Sequence, residues 1–201
     1  MQFVINGPDI PDALLQAHEE GRVVFFCGAG ISRPAGLPDF RGLVQTLFQR
    51  AGEPSDKTES DLIEQNQYDR AIGHYERRIQ GGRAITRRAL PSILSGNLAK
   101  RRALTTHMAL LTIGRSRGGG LKLVTTNFDT LFEAAVRQYG LPSPTIYHDP
   151  PTRLRWDGVV HLHGRMPAEP SVDELDQLIL SDGDFGQAYL TQGWAARFVA
   201  G

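Results

Sequence analysis

Apolar positions along this chain fall into two periods. Three short runs read as strands. Val23-Val24-Phe25-Phe26-Cys27 is dense in β-branched and aromatic residues and predicts a buried strand. Leu121-Lys122-Leu123-Val124-Thr125 follows a Gly118-Gly119-Gly120 turn and predicts a second. Gly158 to Gly164 predicts a third that ends in a turn, and alternation sets His161 and His163 on one face. Elsewhere the spacing is helical. Pro11 to His18 reads as a helix with Asp9 as a candidate cap and Pro11 in its first turn. Leu43, Val44, Leu47 and Phe48 mark one helical face. Leu62, Ile63, Tyr68, Ala71, Ile72, Tyr75 and Ile79 mark another, read as core and closed by Gly81-Gly82. Further helices are expected near 83–95 and 105–114, over the Leu131, Phe132, Ala135 and Val136 face, and from Phe185 to Gly201. Residues 141–157, rich in proline and turn formers, read as loop.

The order is therefore strand, a helical insertion over residues 43–115, then strand, helix and strand. This is an α/β chain, read as one domain over 1–201. The length suffices for a single core. Hydrophobic residues make up 40% and charged residues 22%, ordinary values for a globular chain, and the formal net charge is zero. That balance argues against a whole-surface field for nucleic acid or membrane. No apolar run approaches the roughly 20 residues of a bilayer span, and no basic segment leads into an apolar core at the N-terminus. Cys27 is the only cysteine. It excludes an internal disulfide and a cysteine-based zinc site, fits a reducing cytoplasm, and reads as a small buried apolar residue. Arg77, Arg78, Arg83, Arg87, Arg88, Lys100, Arg101 and Arg102 make the insertion basic. They read as a solvated helix face, with a contact surface for a partner chain or nucleic acid as the alternative.

Candidate chemistry gathers where the strands end. The first strand breaks into Gly28-Ala29-Gly30-Ile31-Ser32, where two glycines let backbone N–H groups approach a ligand closely, as in pyrophosphate cradles. Arg33 stands where the third glycine of the dinucleotide fingerprint would be, so the glycines alone are equally compatible with a tight strand-to-helix turn. The loop continues to Pro38-Asp39-Phe40-Arg41-Gly42, a combination too specialised for a plain connection. The second strand ends at Thr126-Asn127-Phe128-Asp129, polar groups at the carboxyl end of a strand, either ligand-facing or capping the next helix. A His161-x-His163 pair could hold a metal, but no third ligand stands at suggestive spacing.

The stretch from Gly28 to Gly42 resembles the cofactor loop of the sirtuin superfamily: Gly-Ala-Gly-Ile-Ser, two residues, Ala35-Gly36, one residue, then Pro-Asp-Phe-Arg. Thr125-Thr126-Asn127-Phe128-Asp129, His107 in Thr-His-Met-Ala-Leu, His163-Gly164, and Asp184, Phe185, Ala188 and Tyr189 are similar to zinc-free sirtuin-like proteins of prokaryotic antiviral defence. The resemblance covers residues 22–190. It implies a Rossmann-like parallel sheet, NAD+ as substrate, and nicotinamide release by hydrolysis. Gly28, Ala29, Gly30 and Ser32 would approach the pyrophosphate, with Arg41 as a charge-assisted donor. Ile31 and Asp129 would contact the carboxamide, and Phe40 would cover the reactive carbon. Asn127 would orient water, and His163 would bond the ribose and act as base. Asp39 would organise the loop, and His107 would be structural. The absence of cysteines after Cys27 counts against the zinc module of protein deacylases; a deacylase and a non-catalytic NAD+- or ADP-ribose-binding module remain the alternatives. The family's further strands, which hold the adenosine half, are expected to be absent from this chain. Oligomer assembly or an attached or separate sensor is the expected means of control.

Overall fold

The computed structural model describes residues 2, 5–95, 102–148, 151, 156–192 and 198. Four strands form one all-parallel sheet in the order β1-β2-β4-β3, with β1 Phe25–Cys27, β2 Lys122–Thr125, β3 Ile146–Tyr147 and β4 Gly158–His161. Cys27 pairs with Thr125, and Thr125 with His161, so β1, β2 and β4 end level. The chain has the Rossmann-like α/β architecture its sequence implies. Helix α1, Asp12–Glu19, precedes β1; Pro11, not Asp9, holds its cap position. Between β1 and β2 run α2 Phe40–Ala51, α3 Lys57–Glu64, α4 Tyr68–Arg78, α5 Gly82–Ile93 and α6 Thr105–Ile113. Helix α7, Leu131–Tyr139, follows β2, and the short α8 Val172–Asp176 and α9 Asp182–Phe185 follow β4.

Two large apolar clusters carry the fold, beside a small one of Val124, Val160 and Leu162. One joins Leu123 and Val159 of the sheet to Leu111 of α6 and to Leu131, Phe132 and Ala135 of α7. The other holds α2, α4 and α5 together around Leu47, Ile72, Tyr75 and Leu90, with Tyr75 stacked on Phe48 at 4.5 Å. Phe128, Met166, Leu178 and Leu180 from the segments beyond the sheet belong to that second cluster. The helical layer is thus packed against the loops leaving the carboxyl ends of the strands, which is the edge where α/β sheets bind ligands.

Several sequence readings need correction. β1 is an edge strand rather than a buried one: Cys27 is buried, but Val24 and Phe26 are 46% and 61% exposed. The long helical pattern from Leu62 to Ile79 is two helices, because Asn66 adopts φ 59° and turns the chain between α3 and α4. Residues 141–157 contain β3, too short for periodicity to reveal. The basic residues of the insertion are a solvated face only in part: Arg88 and Arg102 are exposed, but four others meet carboxylates. Arg78 pairs with buried Glu59, Arg77 with Asp182, Arg83 with Asp176 and Asp184, and Arg87, 3% exposed, with Glu76 and Asp184. Lys100 and Arg101 lie outside the described residues, as does most of the C-terminal helical pattern beyond Gln192. Among the described residues no helix is long and apolar enough to cross a membrane.

Candidate active site

The turn after β1 is a run of 3-10 helix, Ala29–Ala35, ended by Gly36 at φ 84°. Its two glycines are not demanded by the fold. A Cβ on Gly28 would meet Thr126 Oγ1 only at 3.8 Å, and one on Gly30 would meet nothing within 4 Å. Pro38 and Asp39 then lead into α2, whose first turn Asp39 caps by accepting the Gly42 N–H at 2.9 Å. The cap fixes which residues face inward. Phe40 turns toward the sheet ends, and Arg41, the next residue round the helix, is exposed over a separate groove with Gln45 and Gln49.

The chain leaving β2 crosses beside this loop. Thr126 N–H donates to the Cys27 carbonyl at 3.1 Å, continuing the ladder one step past the strand. The Asn127 amide nitrogen donates to the Gly28 carbonyl at 3.2 Å and to Ser32 Oγ at 3.1 Å. Both amide hydrogens are therefore committed, and the amide oxygen is the group left to meet a ligand. Ser32 Oγ donates in turn to Asp129 Oδ2 at 2.8 Å, and His107 Nε2 lies 3.4 Å from the same hydroxyl. The other carboxylate oxygen of Asp129 accepts the Leu131 N–H at 3.1 Å, so Asp129 also holds the first backbone N–H of α7, although Thr130 and not Asp129 occupies the cap position. The carboxyl group is 8% exposed and burial pushes its pKa up, against the hydrogen bond from Ser32. His107 is fully buried and burial brings its pKa down to about 4, which fits a neutral structural ring.

β4 ends at His161, so strand alternation does not extend to His163. His161 is fully buried with Nδ1 3.1 Å from the Asn127 carbonyl, and burial holds it below the usual histidine range. His163 stands one turn further on, before Gly164 at φ 92°; a Cβ there would strike Leu178 at 2.9 Å. Burial lowers His163 to about 4, so the ring is neutral at physiological pH.

A cavity of about 290 Å³ opens between these segments and the helical layer. Its polar wall carries Ser32, Asp39, Thr126, Asn127, Asp129 and His163; its apolar wall carries Leu37, Phe40, Leu43, Leu94, Ile179 and Phe185. Ala29 lines it as well, while Gly28 and Gly30 sit beside it on the exposed turn. Ile31 is packed against the sheet-side core rather than on the cavity wall, and Ser32 spends its hydroxyl internally. Of the sequence candidates, then, Ala29, Ser32, Asp39, Phe40, Asn127, Asp129 and His163 converge, and Ile31 and Arg41 stand apart. Leu94 and Ile179 were not legible as site residues, since each is an ordinary apolar position until distant segments meet.

Residues 122–201 match the model of the SIR2-like domain. This part of the chain is thus similar to a SIR2-like domain. The N-terminal half is inseparable from the matched part in space, because β1 pairs with β2 and the 3-10 turn is bonded to Asn127. The chain is also 34% identical over 200 residues to the uncharacterized protein y4cA of Sinorhizobium fredii, covering 96% of this chain and 16% of that protein. It therefore spans about a sixth of the relative's length. SIR2-like domains use NAD, and the donors here suit such a molecule: backbone N–H groups with no overlying side chain, and an amide and an imidazole at an apolar slot. The described His/Asp/Glu cluster Asp56, Glu59 and His74 lies elsewhere: Asp56 and Glu59 form the capping box of α3, and His74 and Arg78 of α4 meet the Glu59 carboxylate at 3.1 and 2.9 Å.

Proposed function

We propose that the SIR2-like domain hydrolyses NAD+ to nicotinamide and ADP-ribose. The observation that carries this reading is the shared cavity wall of Asn127 and His163, which reach one space from the ends of two different strands beside a glycine turn. A cavity of about 290 Å³ suits the nicotinamide riboside end of the dinucleotide, with the phosphates over the open turn at Gly28 and Gly30.

Cleavage breaks the bond between the nicotinamide nitrogen and the anomeric carbon; the electron pair leaves with nicotinamide. Positive charge develops on the sugar, and water adds to the same carbon, losing one proton. Holding the reactants in a closed apolar slot supplies orientation and keeps bulk water away. The Asn127 amide oxygen, with both its hydrogens fixed elsewhere, accepts a hydrogen bond from the attacking water. His163, neutral because burial sets it near 4, binds the ribose hydroxyls and takes up the proton. Phe40 shields the sugar after nicotinamide departs. Asp129, already bonded to Ser32, sets the rim that meets the carboxamide.

In the cell this activity would deplete NAD+ as an antiviral response, held silent until assembly or an attached sensor releases it. A relative in which this unit forms 16% of the protein has room for such a sensor. The test is to incubate the chain, within its longest natural polypeptide, with NAD+ and follow nicotinamide. His163→Ala and Asn127→Ala should each lower release by roughly two orders of magnitude or more. Equal release by wild type and both variants refutes the assignment. Acyl-lysine peptides in the same assay detect a deacylase, and calorimetric binding of NAD+ without turnover identifies a non-catalytic sensor.

A further inference from the structure

The pattern Asp184-Phe185-x-x-Ala188-Tyr189 has no task in the hydrolysis described so far, yet it is built tightly around His163. α9 continues through a wider helical turn, Gly186–Thr191, so Phe185 and Tyr189 lie four residues apart on one face. That face meets the imidazole. The Phe185 ring stands edge-on to it at 5.1 Å, the Tyr189 ring at 6.2 Å, and the two aromatic rings stack on each other at 5.8 Å. The Tyr189 hydroxyl lies 3.0 Å from His163 Nε2. Phe185 reaches the cavity wall and Tyr189 is not among its lining residues, so Nε2 is engaged by a group outside the cavity lining.

The segment is held in place by more than its own helix. Asp184 Oδ2 accepts from the backbone N–H groups of Leu180 and Ser181 at 3.0 and 2.8 Å and from the buried Arg87 guanidinium; Oδ1 accepts from Arg83 at 2.6 Å. Ala188, 4% exposed, seats the next turn. The start of the segment is thereby tied to α5, and the tyrosine is delivered to a defined place.

We propose that Tyr189 is a positioning residue for His163: its hydroxyl oxygen accepts the Nε2 proton, so the ring presents the Nδ1 lone pair to the cavity. A neutral imidazole carries its proton on one nitrogen only, and the partner of one nitrogen decides what the other can do. A base facing the sugar needs its lone pair there, so the far side must hold the proton. When Nδ1 takes a proton from the substrate, the imidazolium keeps its Nε2–H on Tyr189, whose own pKa is raised by burial and which stays neutral. This role rests on the reading of His163 as the base in NAD+ hydrolysis; the tautomer does not.

Tyr189→Phe removes the acceptor and keeps the ring. Nicotinamide release should fall about tenfold or more in kcat with KM little changed, as for other groups that orient a catalytic imidazole. In the His163→Ala background the same substitution should cost nothing further. Nitrogen NMR of histidine-labelled protein gives the second readout: His163 should carry its proton on Nε2 in the wild type and lose that protected signal in Tyr189→Phe. Wild-type turnover by Tyr189→Phe, or the same loss in both backgrounds, overturns the proposal. If the wild type releases no nicotinamide, the hydrolase reading falls and the NMR decides alone. A wild-type ring protonated on Nδ1, or an Nε2–H signal unchanged in Tyr189→Phe, then rejects the role of Tyr189.

Discussion

Gly30→Ala separates what the fold needs from what the ligand needs. Gly30 sits in the 3-10 turn, and an ideal Cβ at this position meets no atom within 4 Å. Alanine there adds no clash and restricts the unfolded chain, so stability should stay level or rise by about 0.4–1 kcal/mol. For a chain of this size that is an upward Tm shift of roughly 1–4 °C. The same methyl occupies the space through which a pyrophosphate would reach the backbone N–H groups. Losing one hydrogen bond to a charged group costs about 1.5–3 kcal/mol, hence roughly 10- to 150-fold in affinity. The two measurements are a thermal melt without ligand and kcat/KM for nicotinamide release. A melt that drops by several degrees shows that the glycine serves the fold. Unchanged kcat/KM shows that nothing approaches the turn. Either result refutes the assignment of this turn to the phosphates. Gly164→Ala is the contrast: with φ 92° and Leu178 2.9 Å from the added Cβ, it should destabilise by about 1–3 kcal/mol and displace His163.

Asp129 is buried with its pKa raised, so its ionised form opposes folding at neutral pH. Asp129→Asn should be more stable than wild type at pH 8, and the advantage should shrink as pH falls and the wild-type carboxyl protonates; a less stable variant at pH 8 in urea denaturation contradicts this. Histidines act with the opposite sign. His107 has a folded pKa of about 4 against 6.5 when unfolded, so the unfolded chain binds the proton first and stability is lost as pH drops below 6.5. Between pH 6.5 and 5 the loss from His107 is about 1.5 kcal/mol, with His161 and His163 adding in the same direction and Asp129 subtracting. Urea midpoints at the two pH values should therefore diverge, more steeply in Asp129→Asn; equal midpoints in that variant reject the account. Arg87→Met leaves Asp184 and Glu76 without their buried partner and should cost about 3–5 kcal/mol, read as a large drop in Tm; a melt within 3 °C of wild type, about 1 kcal/mol here, shows the ion pairs carry little.

The sequence by itself determined the alternation of strands and helices, the helical content of the insertion, and the identity of the chemistry-bearing residues at the strand ends. These are local properties. Apolar spacing sets the faces of α2, with Leu43, Val44, Leu47 and Phe48 all buried, and a glycine-rich break after a strand is visible without knowing what it faces. Only the tertiary structure decided which of these residues share a space. Arg41 and Phe40 are neighbours in sequence, but the Asp39 cap fixes the helix rotation and sends them to different surfaces. Arg77 of α4 and Arg83 and Arg87 of α5 look solvent-bound until the carboxylates of Asp182 and Asp184, about a hundred residues away in the chain, arrive to neutralise them. β1 has the composition of a buried strand and lies at an edge, because burial is set by neighbours that periodicity does not name. The partnership of His163 with Tyr189 belongs to the same class: it depends on where β4 stops and on how an ion pair anchors α9, and pairings over such distances are written in no single stretch of the chain.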